Sequence, residues 1–222
     1  MSGGWFVTGT DTGVGKTLVT CGLVRGLVRQ GLRVAAMKPV AAGCRRTAAG
    51  WRNEDALALQ GCANLELDYA EVNPCALAAP LAPALAAARQ GVSIDLAALA
   101  ATGRDLAGRA DRLLVEGIGG WRVPFDDRTG VPDLAAALGL PVILVVALRL
   151  GCINHALLTA RDIQASGLAL AGWVANCPDR APAAPDTAET LDWLERALPV
   201  PLLAVVPPLA PAARAELVLS LP

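Results

Sequence analysis

Short apolar runs alternate with amphipathic stretches from one end of this sequence to the other. Apolar runs of this length are typical of strands buried on both faces, and the amphipathic stretches are typical of helices that bury one face. The alternation therefore predicts an α/β fold, in which helices cover both faces of a doubly wound, mostly parallel sheet. The chain has 222 residues and no visible repeat or linker, so we expect a single domain spanning 1–222.

The same pattern predicts the individual elements. Strands are expected at 5–8, 33–37, 112–116, 141–147, 169–175 and 202–206. Helices are expected at 16–29, 54–60, in two pieces between 81 and 108, in a short segment around 133, at 153–165 and at 187–197. Asn53 and Asp95 are predicted N-caps, and Gly31 is suited to the C-terminal end of the first helix. Loops are expected at 40–53, which contains three arginines, and at 178–186.

Charge, hydropathy and cysteine usage exclude several classes of function. A net charge of −1 and a pI of 5.8 give no reason to expect binding to nucleic acid or to a membrane surface. The longest uncharged stretches, 72–88 and 134–148, are interrupted by proline or glycine and are too short to span a bilayer. The six cysteines form no C-x-x-C pair, and the N-terminus has no signal-like character. We therefore expect a cytoplasmic protein with reduced thiols.

A glycine-rich segment, Gly9-Thr10-Asp11-Thr12-Gly13-Val14-Gly15-Lys16-Thr17, lies between the first predicted strand and the first predicted helix. Glycines allow backbone N–H groups to turn toward phosphate oxygens, and the helix N-terminus adds its dipole. The lysine of such a P-loop reaches the terminal phosphates, and the hydroxyl that follows binds Mg²⁺. The segment predicts a site for ATP and Mg²⁺. The alternative is a glycine-rich turn with an incidental lysine.

Lysine is rare in this chain, where 17 arginines accompany only two lysines, Lys16 and Lys38. Because lysine is normally a common residue, these two indicate positions where arginine does not serve. Lys38 ends the second predicted strand, at the sheet edge where open α/β sheets bind ligands. A cation there can stabilise a transferring phosphoryl group, a carboxylate or a carbamate. We therefore favour catalytic roles for both lysines over a surface position for Lys38.

Two carboxylates are candidates to bind Mg²⁺ together with Thr17. Glu116 ends the apolar strand 112–116 at the ligand-binding edge of the sheet, although a solvated strand end is the alternative. Asp55 lies in the first turn of a predicted helix, where an acidic residue also stabilises the helix dipole, so the sequence leaves its role open. Asn176 follows a buried strand and can either read a base or cap a turn. For His155, the one histidine, we favour a structural or solvated role over proton transfer.

The sequence resembles the dethiobiotin synthetase family, in order from residue 5 to about residue 210. The resemblance is carried by the P-loop segment and by Lys38-Pro39-Val40, Asn53-x-Asp55-Ala56, Val72-Asn73-Pro74, Val115-Glu116-Gly117-x-Gly119-Gly120-Trp121, Leu150-Gly151-Cys152-Ile153-Asn154-His155-Ala156 and Gly172-Trp173-Val174-Ala175-Asn176. It implies ATP-dependent ring closure of 7,8-diaminopelargonate with carbon dioxide to dethiobiotin. The implied intermediates are a carbamate and a carbamic–phosphoric mixed anhydride, with ADP and phosphate as the other products.

The resemblance also implies the site residues. ATP is expected to contact Thr12, Gly13, Val14, Gly15, Lys16, Thr17, Leu18, Asp55, Glu116, Gly117, Ile118, Gly119, Gly120, Asn176, Cys177, Val206, Pro207 and Pro208. Thr17, Asp55 and Glu116 are expected to hold Mg²⁺, and Lys38 to stabilise the carbamate. Asn176 and the segment Val206-Pro207-Pro208 are expected to frame the purine. The diamine is expected at a homodimer interface, in contact with Ala42, Gly151, Cys152, Ile153 and Asn154. The last four come from the second subunit and form a helix N-terminus suited to a carboxylate.

Two positions depart from the family pattern. Ala42 stands where the family usually has serine, and Ile118 stands where it usually has alanine. Both departures concern affinity more than the type of reaction. The alternative function is that of a regulatory, partitioning-type P-loop ATPase, but such proteins carry a second lysine where this chain has Asp11. A cobyrinate-type synthetase would need a glutaminase domain, for which 222 residues leave no room.

Overall fold

The computed structural model describes residues 3–177 and 187–221. The strands are β1 (Gly3–Gly9), β2 (Val34–Met37), β3 (Val40–Ala42), β4 (Arg45–Thr47), β5 (Gly50–Arg52), β6 (Cys75–Leu77), β7 (Arg112–Glu116), β8 (Val142–Ala147), β9 (Leu170–Asn176) and β10 (Leu202–Val206). The helices are α1 (Lys16–Arg29), α2 (Glu54–Cys62), α3 (Tyr69–Val72), α4 (Pro83–Gln90), α5 (Leu96–Arg109), α6 (Val131–Leu138), α7 (Cys152–Ala165), α8 (Thr187–Ala197) and α9 (Pro211–Glu216). None of these helices combines the length and the apolar character needed to cross a bilayer.

A six-stranded sheet forms the centre of the molecule, with the strand order β10-β9-β8-β1-β7-β2 and every neighbouring pair parallel. The chain proceeds from β1 toward β2 and β7 on one side and toward β8, β9 and β10 on the other. Right-handed crossovers that travel in opposite directions place their helices on opposite faces of a sheet. The predicted α/β fold is therefore confirmed, and its switch point lies at the carboxyl end of β1.

The burial of the central strands explains why the sequence predicted strands at the long apolar runs. Every residue of β8 is buried, and so are the last four residues of β1. Both faces of the central strands are therefore covered. The predicted bounds of α1, β7, α8 and β10 match the structure, and the other central strands and long helices differ by one or two residues at an end. The side chains of Asn53 and Asp95 accept hydrogen bonds from the first turns of α2 and α5, as predicted.

The prediction of a loop at 40–53 is wrong. This segment contains β3, which pairs in parallel with β6, and the antiparallel hairpin β4–β5. Each of these strands has three residues, which is too short for alternation to show in the sequence. The short helices α3 and α9 were not predicted either, because four and six residues give too little of a helical period. The loop predicted at 178–186 lies outside the described residues.

The C-terminal segment 217–221 lies against the middle of α1. The backbone N–H of Leu219 donates to the carbonyl of Gly22 over 3.0 Å, and the Arg25 side chain donates to the carbonyl of Leu217. A Cβ atom at Gly26 would lie 1.9 Å from the carbonyl oxygen of Leu219. Glycine at this position therefore permits the close approach that brings the C-terminal segment onto the first helix.

Candidate active site

A cavity of about 790 Å³ opens at the carboxyl ends of the central strands, beside the glycine-rich loop that follows β1. One part of its wall is polar and charged. This part contains Thr12, Gly13, Gly15, Lys16, Thr17, Lys38, Asn53, Asp55, Glu116 and Gly119. The rest of the wall is apolar and contains Ala41, Ala42, Pro80, Leu81, Ala82, Pro83, Ile118 and Val123. The cavity thus brings together both lysines, all three predicted magnesium ligands and both positions that depart from the family pattern.

The loop before α1 has the backbone that its glycines allow. Gly13 and Gly15 have φ values of 74° and 94°, in the left-handed region that favours glycine. Lys16 begins α1, and its Nζ lies 2.9 Å from the carbonyl oxygen of Asp11 and 2.6 Å from that of Gly119. Burial, with the nearby Lys38 ammonium, lowers the pKa of Lys16 to about 8. Lys16 therefore spans the loop and lines the cavity, where the negative charge of bound phosphates would raise its pKa again.

Lys38 lies between two carboxylates and is only 3% exposed. Its Nζ is 2.5 Å from Glu116 Oε1, 3.2 Å from Asp55 Oδ2 and 3.1 Å from the carbonyl oxygen of Gly117. Burial alone would lower the pKa of Lys38, but the charges of Glu116 and Asp55 and their hydrogen bonds outweigh it and raise the pKa. Lys38 is therefore a fixed, charged ammonium group at the floor of the cavity.

The three predicted magnesium ligands converge on the same point. Thr17 Oγ1 donates to Glu116 Oε1 over 3.0 Å. Glu116 is completely buried, and its Oε2 atom has no hydrogen-bond partner among the described residues. Burial tends to raise the pKa of Asp55, but Lys38 and a hydrogen bond with Thr17 outweigh it and lower the pKa. Two carboxylates, one with an unsatisfied oxygen, and a hydroxyl form an all-oxygen donor set of the kind that Mg²⁺ prefers.

The protein offers only a few ligands for a metal ion at this point. No group of three or more histidine, cysteine, aspartate or glutamate side chains in residues 3–177 and 187–221 is arranged to hold a metal ion. Mg²⁺ commonly takes one or two carboxylates from the protein and its remaining ligands from phosphates and water. Thr17, Asp55 and Glu116 are therefore suited to a magnesium ion that arrives with a nucleotide.

Asn176 packs against the P-loop and is not among the residues that line the cavity. Its Nδ2 donates to the carbonyl of Val14 over 2.8 Å, and a Cβ atom on Gly15 would lie 2.1 Å from Nδ2. Its Oδ1 has no partner among the described residues. Asn176 is paired in the sheet with Val206, and the N–H of Cys177 donates to the carbonyl of Val206. The two strand ends predicted to frame a purine are thus neighbours beside the loop, with Pro207 and Pro208 following on the surface.

Other predicted nucleotide contacts also lie beside the cavity. Val14 is buried, Leu18 is half-buried in α1, and the carbonyl of Gly117 is held by Lys38. A Cβ atom on Gly120 would lie 3.4 Å from the carbonyl oxygen of Thr10, so the turn after β7 packs closely on the P-loop. These residues shape the backbone of the site.

The segment predicted to receive a carboxylate, Gly151, Cys152, Ile153 and Asn154, lies at the N-terminus of α7 and does not line the cavity. It follows Arg149, whose guanidinium lies 2.7 Å from Asp11 Oδ2 in the P-loop. Leu150, which stands between Arg149 and Gly151 in the sequence, is 96% exposed. Within one copy of the chain, this segment is therefore connected to the nucleotide loop but separated from the cavity. His155 is exposed on the same first turn.

Sequence reasoning missed several residues around the site. Residues 80–83 and Val123 form much of the apolar wall, although nothing in their sequence marks them. Tyr69 and Asn73 connect the segments that carry Asp55 and Lys38. Tyr69 is the one tyrosine of the chain. Its rarity is a signal of the same kind as the one that indicated functional positions for the two lysines.

Comparisons with known proteins agree with this geometry. A protein-family model described as an AAA domain matches residues 4–216. Two curated relatives are each 54% identical over 209 residues, which cover 94% of this chain and 91% of the relative. They are the ATP-dependent dethiobiotin synthetases BioD of Pseudomonas paraeruginosa (strain DSM 24068 / PA7) and Pseudomonas aeruginosa (strain UCBPP-PA14).

Solved structures show the likeness of the fold. MinD from Pyrococcus horikoshii OT3, complexed with Mg-ADP, has a TM-score of 0.56 at 18% identity and covers 97% of this chain and 87% of its own. A ParA family ATPase from Chlorobium tepidum TLS has a TM-score of 0.58 at 12% identity, with 97% and 88% covered. At these identities the likeness shows a P-loop fold and nothing about the reaction. The identity to the curated relatives over nearly the whole chain is decisive, and the chain belongs to the dethiobiotin synthetase family.

Proposed function

We propose that Lys38 and its neighbours form the centre at which this chain makes dethiobiotin from 7,8-diaminopelargonate, carbon dioxide and ATP, in the synthesis of biotin. Family membership supports the ATP-dependent reaction. The observation that supports the roles of the residues is the buried Lys38 ammonium between Glu116 and Asp55, in one cavity with Lys16 and Thr17.

The chemistry requires an activated carbamate. One amine of the diamine adds to carbon dioxide and loses a proton, which gives a carbamate. A carbamate oxygen then attacks the γ-phosphorus of ATP, and ADP leaves. The second amine attacks the carbamoyl carbon of the mixed anhydride, and phosphate leaves as the urea ring closes. A carbamate is a poor electrophile until one oxygen becomes part of a phosphate leaving group, so ATP supplies the leaving group.

The two lysines meet the electrostatic problem of this reaction. A carbamate and a triphosphate are both anions, and their close approach needs cations that are already in place. Lys16 would bind the terminal phosphates from the P-loop, and Lys38 would hold the carbamate and its phosphorylated form. Both ammonium groups face the same cavity. Because the protein holds them before the substrates arrive, little reorganisation is needed during phosphoryl transfer.

Mg²⁺ belongs to this proposal as the ion that accompanies ATP. Thr17, Asp55 and Glu116 would hold it, and the unsatisfied Glu116 Oε2 supports this role. When bound, the ion would neutralise phosphate charge. Lys38 contacts both carboxylates and so keeps them paired until the nucleotide arrives.

We further propose that the chain acts as a homodimer with the substrate site at the interface. The N-terminus of α7, at 151–154, lies away from the cavity of its own chain and has no side-chain cap, so its first turn is suited to a carboxylate. Leu150 beside it and Leu158 on the same helix are exposed apolar side chains that a second copy would cover. The single domain, the framing of the purine by Asn176 and Val206, and the cytoplasmic location remain predictions from the sequence.

An isotope experiment tests the order of bond formation. The chain, Mg-ATP and the diamine are mixed with [¹⁸O]carbon dioxide in unlabelled water for a single turnover, before the label exchanges. If the carbamate is phosphorylated, one labelled oxygen appears in the released phosphate and one remains in dethiobiotin. Phosphate without label, alongside labelled dethiobiotin, would contradict the mixed anhydride. A matched sample without the diamine measures phosphate from hydrolysis by water.

A further inference from the structure

A closed ring of hydrogen bonds starts and ends at Lys38. The carbonyl oxygen of Lys38 accepts from Asn73 Nδ2 over 2.7 Å, and Asn73 Oδ1 accepts from the Tyr69 hydroxyl over 3.2 Å. The Tyr69 oxygen in turn accepts from the backbone N–H of Asn53 over 2.8 Å. Asn53 Oδ1 accepts from the N–H of Asp55 over 3.0 Å. The carboxylate of Asp55 completes the ring, 3.2 Å from Lys38 Nζ.

Tyr69 is the side chain that connects the two halves of this ring. Lys38 follows β2, whereas Asp55 lies in the first turn of α2, so the two charged groups belong to different elements. Apart from their own ion pair, the ring joins these elements through the Tyr69 hydroxyl. This hydroxyl donates to one side and accepts from the other, which uses the two functions that a phenol offers.

The partners of Tyr69 are themselves fixed. Asn73 is 3% exposed, and its amide also contacts the carbonyl of Cys75. The N–H of Lys38 donates to the carbonyl of Val72, so the chain around Asn73 and the end of β2 are joined twice. Asn53 is held as well, because its Nδ2 donates to the carbonyl of Ala42 over 3.3 Å. Since Asn53 is the N-cap of α2, a displacement of the Tyr69 hydroxyl would reach Asp55 through Asn53.

The aromatic ring of Tyr69 has a separate contact. The guanidinium carbon of Arg52 lies over the ring, 4.1 Å from its centroid, in a cation–π arrangement. This contact involves the ring face and not the hydroxyl. Removal of the hydroxyl alone would thus keep the packing and the Arg52 contact while it opens the hydrogen-bonded ring.

We propose that Tyr69 is a positioning residue for the ring-closing reaction, because its hydroxyl sets the placement of Asp55 relative to Lys38. This inference rests on the proposed function of those two residues. A small displacement of a catalytic group costs much of its rate advantage, since phosphoryl transfer depends on pre-set geometry. The expected consequence is a defect in turnover that exceeds any defect in ATP binding.

The test compares Tyr69→Phe with the wild-type chain. We expect kcat for dethiobiotin formation to fall by about tenfold, with the KM for ATP changed by less than about twofold. Thr102→Val is the matched control, because it removes a hydroxyl that donates to Ala98 within α5. This control should leave kcat unchanged. A purely structural role for Tyr69 would lower the melting temperature and leave kcat of the folded enzyme at its wild-type value, which would overturn the inference.

Two further measurements make the test specific. In an Asp55→Asn background, Tyr69→Phe should cost less than about threefold in kcat, because the group that it positions is already altered. An undiminished tenfold loss in that background would contradict the inference. Because the chain has a single tyrosine, growth with 3-fluorotyrosine labels Tyr69 alone and keeps its hydroxyl. That protein should retain kcat within about twofold, and a tenfold loss there would count against the hydroxyl as the cause.

The failure of this inference can be told apart from the failure of the proposed function. If the wild-type chain makes dethiobiotin and Tyr69→Phe does so at the same kcat, only the role of Tyr69 is wrong. If the wild-type chain makes no dethiobiotin from the diamine, carbon dioxide and Mg-ATP, the proposed function is wrong and the inference falls with it.

Discussion

At the scale of single residues, the two lysines have different electrostatic surroundings. Lys38 is buried against two carboxylates, which raise its pKa, whereas Lys16 contacts backbone carbonyls and has its pKa lowered to about 8. A buried ammonium paired directly with carboxylates is fixed in place, while one whose hydrogen bonds go to carbonyl oxygens gains more from an incoming anion. Lys16 should therefore contribute to nucleotide binding and Lys38 mainly to turnover.

Replacing each lysine by glutamine should separate these roles. Lys16→Gln should raise the KM for ATP and lower kcat, because the terminal phosphates lose a cation in both the ground state and the transition state. Lys38→Gln should lower kcat by at least about a hundredfold while the KM for ATP changes by less than about threefold. Steady-state kinetics with ATP varied at saturating diamine provides the measurement. Equal effects of less than about tenfold from both changes would contradict the assignment.

Ala42 gives a second prediction at this scale. It lines the cavity, at a position where the family usually has serine. Ala42→Ser adds a hydroxyl that can bond to a charged substrate group, which contributes about 1.5–3 kcal/mol when no water already fills the place. We expect a lower KM for the diamine and an unchanged KM for ATP. A change in the KM for ATP alone would place Ala42 on the nucleotide side.

Residue types explain why some of the site could be predicted and some could not. Lys16, Lys38 and Glu116 were found because they follow strands at the ligand-binding edge, and lysine is rare in this chain. Tyr69 and Asn73 were missed because their roles lie in hydrogen bonds to residues 16 and 35 positions away. Sequence periodicity carries no information on such pairings, which depend on the tertiary fold.

At the scale of secondary structure, length decided which elements could be predicted. The central strands and long helices have enough residues for a period to show, and α1 and β7 were predicted at their observed bounds. The hairpin β4–β5 and the pair β3–β6 consist of three-residue strands stabilised by tertiary contacts. These short elements nevertheless carry Ala41 and Ala42 of the cavity wall. Periodicity gave no sign of these strands, and Ala42 was predicted only from the family resemblance.

The contact between α1 and the C-terminal segment gives a prediction about stability. Gly26→Ala would place a methyl group against the carbonyl of Leu219, and overpacking of this kind costs about 1–3 kcal/mol. Gly108→Ala in α5 is the matched control, because among the described residues its added Cβ would meet no atom within 4 Å apart from its chain neighbours and its own helix backbone. Helix propensity alone should make that control more stable, by up to about 1 kcal/mol. Chemical denaturation measures both, and equal stabilisation of the two variants would contradict the close approach.

At the scale of the whole molecule, the sheet brings residues from distant parts of the sequence to one edge. Lys16 follows β1, Lys38 follows β2 and Glu116 ends β7, and these three strands are neighbours at one side of the sheet. Parallel strands have all their carboxyl ends at the same edge of the sheet, and this arrangement brings the three charged side chains together. The exposed Leu150 and the α7 N-terminus do not line this cavity, which is the observation behind the proposed dimer.

Disruption of the proposed dimer should separate nucleotide binding from turnover. Leu150→Glu places a charge on the exposed apolar surface beside 151–154, and Val92→Glu adds the same charge at another exposed apolar position. We expect sedimentation to give a monomer for Leu150→Glu only. Its turnover should fall by more than about tenfold, while the Kd for ATP changes by less than about threefold. A monomeric Leu150→Glu variant with full activity would contradict a substrate site at the interface.

The dependence of ATP turnover on the diamine tests the central claim most directly. The acceptor of the γ-phosphoryl group is a carbamate, so a chain with Mg-ATP and bicarbonate but no diamine should bind nucleotide and remain nearly idle. Addition of 7,8-diaminopelargonate should then release ADP and dethiobiotin in equal amounts, measured by coupled assay and mass spectrometry. ATP hydrolysis without the diamine at the stimulated rate, and no dethiobiotin in its presence, would contradict the account in favour of a partitioning-type ATPase.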